Sequence, residues 1–334
     1  MMSEIRFLTS SDEHLADIPP GFRKDDYRSA ILSKLEWQGE SARKFRADGV
    51  LRGGDFFHVK AANKTTMSTL AQASAIHRQY PCPTYAIPGN HDLSHNNLET
   101  VPKQPLGVIL ESGIFYSLTS EVFLADSLKV RVIGVGYTVD LDYDGLRELI
   151  QKKEDDCYTI AVIHALAAYA PEERIQSFFC ERIFDYRDLI FQGCPDVYIF
   201  GHYHKDQGIT EHCGVKFVNL GAISRGALSF ENVERKPKVG LITCNSQGIS
   251  VESCEIPCRD ASEIFDFDRK KQLEKERKDL NEFISKLYSD LALSQDGGLS
   301  EKVKKFQNSD YPDDLKNLVL NTLELAETGA EGDE

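Results

Sequence analysis

Short apolar runs recur along the first 256 residues, and several of them end in a cluster of polar residues. Residues 5–9, 49–51, 84–87, 158–163 and 196–200 have the length and composition of buried strands. Between the first three lie two helical patterns. Residues 25–46 carry Tyr27, Ile31 and Leu35 at helical spacing, with Phe45 further on and a polar opposite face; residues 67–80 carry Leu70, Ala73, Ile76 and His77. The order is therefore β-α-β-α-β, with a Pro19-Pro20-Gly21 loop inside residues 15–24. Residues 98–112 are mixed. A second set follows: strands over 115–118, 122–124 and 128–136, a helix over 144–153, the strand 158–163, a largely helical stretch 172–192, and the strand 196–200. Strands over 215–220, 239–244 and 249–256 close this part. Two sheets with helices outside fit this count better than one.

The pattern changes near Asp260. Residues 269–278 are dense in charge, and Leu273, Leu280, Ile284, Leu287 and Leu291 recur as one face of a long amphipathic helix. Asp296-Gly297-Gly298 breaks it, and residues 299–306 and 315–325 are predicted as further helices. The chain divides into a domain over 1–260 and a helical region over 261–334. That region either packs on its parent domain or serves as an arm for a partner. Its basic residues alternate with Glu274, Glu276 and Asp279, the pattern of a solvated helix face.

Composition narrows the class. Of 334 residues, 41% are hydrophobic and 28% charged, ordinary values for a globular protein. No apolar run has the eighteen or so residues of a membrane helix, and the N-terminus runs straight into a strand without a signal peptide, so a cytoplasmic protein is expected. The formal net charge of −14 excludes a generally basic nucleic-acid coat. It does not exclude a nuclease, because bound divalent ions supply local positive charge. The eight cysteines are scattered and form no CxxC pair, which argues for reduced thiols and against a zinc cluster at Cys244, Cys254 and Cys258.

The chemistry sits in the clusters that follow the strands: Asp12-Glu13-His14, Gly54-Asp55-Phe56-Phe57-His58, Gly89-Asn90-His91-Asp92, His164 and Gly201-His202-Tyr203-His204. Carboxylates, an amide and imidazoles at strand ends suit a pair of metal ions that share a carboxylate. All donors are oxygen or nitrogen, compatible with manganese, iron, zinc or magnesium. His77, His95 and His212 fit no such cluster and are expected to be structural or surface histidines.

In that order the five clusters resemble the motifs of the calcineurin-like metallophosphoesterases. The resemblance spans roughly residues 5 to 256, and the extra His58 makes it similar to the SbcD-like branch of DNA-repair nuclease subunits and their phage counterparts. It implies an α/β fold, a four-layer α-β-β-α sandwich of two mixed sheets flanked by helices, with a C-terminal helical appendage. It implies two divalent metal ions, with manganese expected first. One would be held by Asp12, His14, Asp55 and His204, the other by Asp55, Asn90, His164 and His202, with Asp55 bridging. His91 would be the acid or transition-state stabiliser, Asp92 would hold His91, and His58 would contact the phosphate or leaving group. Arg225, in Asn219-Leu-Gly-Ala-Ile-Ser-Arg225, would touch substrate. Expected partners are DNA, a coiled-coil SMC-like ATPase docked on the C-terminal helices, and a second copy of the chain; no membrane is expected. The branch carries a DNA-capping domain after its core, whereas only residues 261–334 remain here.

The resemblance therefore implies a DNA phosphodiesterase, an exonuclease or endonuclease. A phosphodiesterase or phosphatase for small molecules such as cyclic nucleotides is the alternative that the acidic balance and missing cap favour. A non-catalytic scaffold is the third, although no ligand position of the set is lost.

Overall fold

A computed structural model describes residues 3–59, 65–152, 157–171, 181–292 and 316. The chain divides into two compact units, Met1–Asp266 and Phe267–Glu334. In the first unit the chain runs through β1 (Glu4–Ser10), α1 (Tyr27–Phe45), β2 (Gly49–Arg52), α2 (Met67–His77), β3 (Thr84–Ala86), α3 (Pro105–Glu111) and β4 (Phe115–Ser117). It continues through β5 (Ser120–Ala125), β6 (Leu128–Val135), α4 (Tyr143–Ile150), β7 (Tyr158–His164), β8 (Ala167–Ala168), β9 (Phe184–Asp185) and β10 (Val197–Gly201). The strands β11 (Gly208–His212) and β12 (Val215–Asn219) precede the short helix α5 (Phe230–Glu234), and β13 (Lys238–Asn245), β14 (Gly248–Glu255) and α6 (Ala261–Ile264) complete the unit.

These strands form two six-stranded mixed sheets, ordered β14-β13-β1-β2-β3-β4 and β11-β12-β10-β7-β6-β5. In each, the central pairs are parallel, and antiparallel strands lie towards one or both edges. The fold is the expected sandwich of two sheets flanked by helices.

The two-residue period of the strands explains the layers. Along β7, Ile160 and Val162 enter the core between the sheets with Phe7, Val132 and Ile199, while Ala161 and Ile163 face Leu146 and Ile150 of α4. Along β1, Ile5 and Phe7 face the other sheet and Leu8 faces Ala42 of α1. Strands buried on both faces read as unbroken apolar runs, so they were easy to see in the sequence. The opposite outer layer packs Ile31 and Leu35 of α1 with Leu70 and Ala73 of α2 and Ile109 of α3.

α1 starts at Asp26, whose side chain accepts from the Ser29 N–H, and ends at Arg46 in the left-handed region. Its polar side is not wholly solvated: Lys34, Gln38 and Ser41 are buried. Gly39 is required there, since a Cβ would lie 2.7 Å from the Tyr80 ring.

Beneath the strand ends lies a fully buried ion pair. Arg52 Nη1 donates to Glu13 Oε1 at 2.8 Å and also to Ser10 Oγ and Gln38 Oε1; Arg52 Nη2 reaches His77 Nε2 at 3.1 Å and Tyr80 Oη at 3.2 Å. His77 is thus structural. Glu13 lies between Asp12 and His14, so this pair fixes the first cluster from below.

Three expectations need correction or fall outside the description. Residues 181–192 are not helical but form β9 and a single 3-10 turn, Tyr186–Leu189, while 172–180 lie outside the described residues. The edge strand β11 was not expected. The helices expected over 299–306 and 315–325 also lie outside the described residues, Lys316 excepted. In the second unit, α7 (Phe267–Ala292) is one long helix, on which Leu273 and Leu280 are exposed. No described helix is long and apolar enough to cross a membrane.

Removing one partner of the Arg52–Glu13 pair strands a buried charge, a loss of about 3–5 kcal/mol. Arg52→Met is expected to lose that much in denaturant unfolding, and Arg52→Met/Glu13→Gln less than the two single losses combined. Additive losses would show that the pair is not coupled.

Candidate metal centre

The clusters converge because the chain turns sharply at each strand end. Asp12 (φ 57°), His14 (φ 46°), Asp55 (φ 55°) and His202 (φ 84°) all occupy the left-handed region. Asp and His tolerate it better than most residues, yet each such residue costs on the order of 1–3 kcal/mol. Bonds between the loops hold them there. The Asp12 N–H donates to Gly54 O at 3.0 Å, the His14 N–H to Asp55 O at 2.9 Å, and the His202 N–H to Asp12 Oδ1 at 3.1 Å. The approach is close enough to require glycine: a Cβ at Gly54 would lie 2.3 Å from His164 Nδ1, and one at Gly89 would lie 2.2 Å from Asp55 Oδ1.

Three groups of ligand atoms result: two share a carboxylate, and the third is His14, His58 and His91. Asp12, His14, Asp55 and His204 each place one within 4.8 Å of the others, and Asp55, His164 and His202 do the same. Asp55 belongs to both. Asn90 joins the second group, its Oδ1 3.3 Å from His164 Nε2 and 3.1 Å from His202 Nδ1. In the first group His14 Nε2 and His204 Nε2 face each other at 2.9 Å. Such converging oxygen and nitrogen lone pairs around a shared carboxylate fit two divalent ions. Among the described residues no cysteine joins a group of this kind.

The donors set one another's charge. Burial pushes the Asp12 carboxyl up, but the His204 hydrogen bond and the His204 and His164 charges outweigh it and hold it at about 2. Burial also opposes ionisation of Asp55, and His164 with the other imidazoles brings it well below the usual carboxylate range. Burial lowers His14 to about 3, so it is neutral with a lone pair to offer. His164 Nδ1 bonds Gly53 O at 2.7 Å, which turns Nε2 towards Asp55 Oδ2, 3.5 Å away. Burial disfavours the His164 cation, but the Asp55 carboxylate prevails and raises it to about 9.

The other expected residues are placed less uniformly. His91 stands at the mouth of the cluster, its ring centre 4.7 Å from that of His14 and 4.3 Å from that of His58, and its N–H donates to Asp55 Oδ1 at 2.6 Å. His58 approaches His14, Nδ1 to Nδ1 at 3.3 Å. Asp92 does not hold His91. Its carboxylate accepts the N–H groups of Phe57 (2.7 Å), Gly89 (3.0 Å) and Phe56 (3.2 Å), tying the Asp55 loop to its own. Burial and the Asp55 charge push it up to about 7, against the pull of those donors. Arg225 does not reach out for substrate. Its guanidinium donates to Asn232 O (2.7 Å), Arg259 O (3.1 Å), Val233 O (3.2 Å) and Cys258 Sγ (3.3 Å).

Two residues escaped the sequence analysis. Glu181 Oε2 meets His202 Nε2 at 2.9 Å, and Tyr137 Oη donates to Glu181 Oε1 at 3.0 Å. This carboxylate fixes the His202 tautomer so that Nδ1 faces Asn90 and the metal position. Tyr137 stands two residues after β6, past Gly136, the placement that marked the other clusters. Glu181 is a single acid in a loop with no pattern around it.

A cavity of about 210 Å³ opens beside the cluster. His14, His58, His91 and His204 form one wall, with Ile18 and Ala222 among its apolar residues and no Lys or Arg among the described residues of its lining.

The description of the calcineurin-like phosphoesterase family matches residues 5–206, and the chain belongs to that family. No curated protein matched significantly. Similar solved structures include the calcineurin-like phosphoesterase YfkN of Bacillus subtilis, at 11% identity and TM-score 0.45 over 85% of this chain and 100% of that one. The sulfate thiohydrolase SoxB of Thermus thermophilus is 13% identical, TM-score 0.45, over 75% of this chain and 56% of its own. GAP50, the inner-membrane-complex anchor of Plasmodium, is 12% identical, TM-score 0.46, over 78% and 91%.

Loss of a partner that orients a ligating histidine costs about 10–100-fold in metal affinity. Glu181→Ala is expected to show that loss for one of two manganese ions in calorimetric titration, with Glu181→Gln in between. Wild-type affinity for both ions in Glu181→Ala would remove Glu181 from the metal centre.

Proposed function

We propose that this chain is a dinuclear-metal phosphodiesterase that cleaves DNA, with manganese as the first ion to test. The carrying observation is the pairing of two ligand groups on Asp55 with a second histidine pair, His91 and His58, at their open side. Asp12, His14, Asp55 and His204 would hold one ion, and Asp55, Asn90, His164 and His202 the other. Such ions supply a hydroxide near neutral pH and neutralise phosphate oxygens.

The chain's own residues do the rest. Asp55 accepts the His91 main-chain N–H and so fixes where that imidazole stands. From the cavity wall His91 can give a proton to the departing alkoxide. His58 packs on both His14 and His91, keeping the His14 ring in place and offering a second nitrogen to a phosphate oxygen. Asp92 keeps the Asp55 and His91 loops in register through three main-chain donors. The preference for DNA draws on the Gly54-Asp55-Phe56-Phe57-His58 motif and its resemblance to the nuclease branch.

A second reading, a small-molecule phosphodiesterase, is favoured by the cavity: it is small, and its lining among the described residues presents no cationic side chain to a polyanion. Manganese-dependent turnover of end-labelled single- and double-stranded DNA, beside a cyclic nucleotide, separates the two. DNA loss is expected, and His91→Ala is expected to slow it by about 10²–10⁴-fold, the contribution of a positioned proton donor. Cleavage of the small diester alone would overturn the nuclease reading.

We also propose that α7 docks a coiled-coil ATPase. Leu273 and Leu280 are exposed seven residues apart on it, the spacing of a helix–helix seam. Truncation after Asp266 is expected to abolish co-purification with such an ATPase while manganese binding persists. Undiminished association would sink the proposal.

A further inference from the structure

The metal centre leaves a second set of buried charges unexplained. Arg23, Lys34 and Arg225 are each less than one-tenth exposed. They line a cavity of about 200 Å³, together with Arg259, Asp25 and Asp26. Four cationic side chains thus face two carboxylates, in a chain whose net charge is −14.

Neither carboxylate neutralises the interior of this cavity. Asp25 is spent on Arg23, with Nε and Nη2 each 2.7 Å from one of its oxygens. Asp26 is exposed and caps α1 through the Ser29 N–H and Oγ. Lys34 and Arg225 have no carboxylate partner among the described residues. Lys34 Nζ donates to Ile223 O at 2.6 Å and Ser224 O at 3.3 Å, and Arg225 to three carbonyls and the Cys258 sulfur. An ammonium has three N–H groups and a guanidinium five, so each keeps one to give.

A buried cation matched only by neutral dipoles is costly. Burial first, and then the Arg23 charge, bring Lys34 down to about 7. The Ser33 hydroxyl and the exposed Arg259 side chain add donors at the same cavity. A guanidinium, an ammonium and a hydroxyl around one space match a tetrahedral oxyanion.

We propose that this cavity is an anion site, separate from the metal centre, that takes phosphate or the phosphate of a phosphomonoester. The choice of ligand rests on the phosphodiesterase reading, because diester hydrolysis releases that group; the binding itself does not. The site adjoins the chemistry. Arg23 Nη1 and Lys34 Nζ both donate to Ser224 O, and the Ser224 N–H donates to Asp12 O at 3.3 Å. One residue therefore separates the anion site from the first metal-ligand loop.

The test is calorimetric titration of the full chain, manganese-loaded and chelated, with inorganic phosphate and with a deoxynucleoside 5′-monophosphate. Two phosphate events are expected in the loaded protein and one in the chelated protein. Arg259→Glu, a surface change, and Lys34→Met, which keeps the buried stem, are each expected to weaken the event that survives chelation by about tenfold or more, as loss of a charged hydrogen-bond donor does. Binding of phosphate alone would assign the free ion, and equal binding of the nucleotide the phosphomonoester. If no event survives chelation, or if both variants bind as wild type does, the proposal is wrong. Absence of manganese-dependent phosphodiester cleavage by the wild-type chain, with the surviving event intact, would count against the phosphodiesterase reading only.

Discussion

The structure depends on a constraint at three neighbouring strand ends. The chain leaves β1, β2 and β10 through non-glycine residues in the left-handed region, a conformation that an isolated loop would abandon. Each loop is held by another: the Asp12 turn by Gly54 O, the His14 turn by Asp55 O, and the His202 turn by the Asp12 carboxylate. Because the supports run from the β2 loop to the β1 loop and from there to the β10 loop, a displaced Asp55 loop would displace the other two. The strain is offset by the interior below, where the Arg52–Glu13 pair and the Asp92 carboxylate bind these loops from the protein side. Ligand geometry is thus a by-product of how the strands end.

Much of this was legible in the sequence, for a physical reason. A strand covered on both faces is an unbroken apolar run, and a glycine followed by Asp, Asn or His at its end marks a close approach with donors attached. Residues 196–200 leading to Gly201-His202 show both signals, and residues 158–163 leading to His164 show the apolar run with a donor at its end. The side of the sheet on which those residues meet then follows from the parallel order of the central strands.

What was not legible depends on where a side chain points from irregular backbone. Asp92 neighbours His91 in sequence but turns to main-chain N–H groups of another loop. Arg225 follows a segment that does return to the site, since the Ser224 N–H meets Asp12 O, yet its guanidinium turns to the carbonyls around α5 and Arg259. Glu181 comes from a stretch expected to be helical, where Phe184 of β9 and Tyr186 of the 3-10 turn in fact join the core cluster of Phe200 and Phe217. The edge strand β11, Gly-Ile-Thr-Glu-His, is too polar to stand out. Periodicity reports burial of an element, and none of these features is set by burial.

The division of the ligands between the sheets has a mechanical meaning. Asp12, His14, Asp55 and Asn90 belong to strand ends of one sheet, and His164, His202 and His204 to those of the other. Each ligand group that Asp55 joins draws on both. An ion seated in either group is consequently a rivet through the sandwich, and the folded state gains RT ln(1 + [ion]/Kd) from every rivet that is in place. The same atoms that would cleave a phosphodiester also clamp the two halves of the protein, so its resistance to unfolding rises and falls with the metal supply around it.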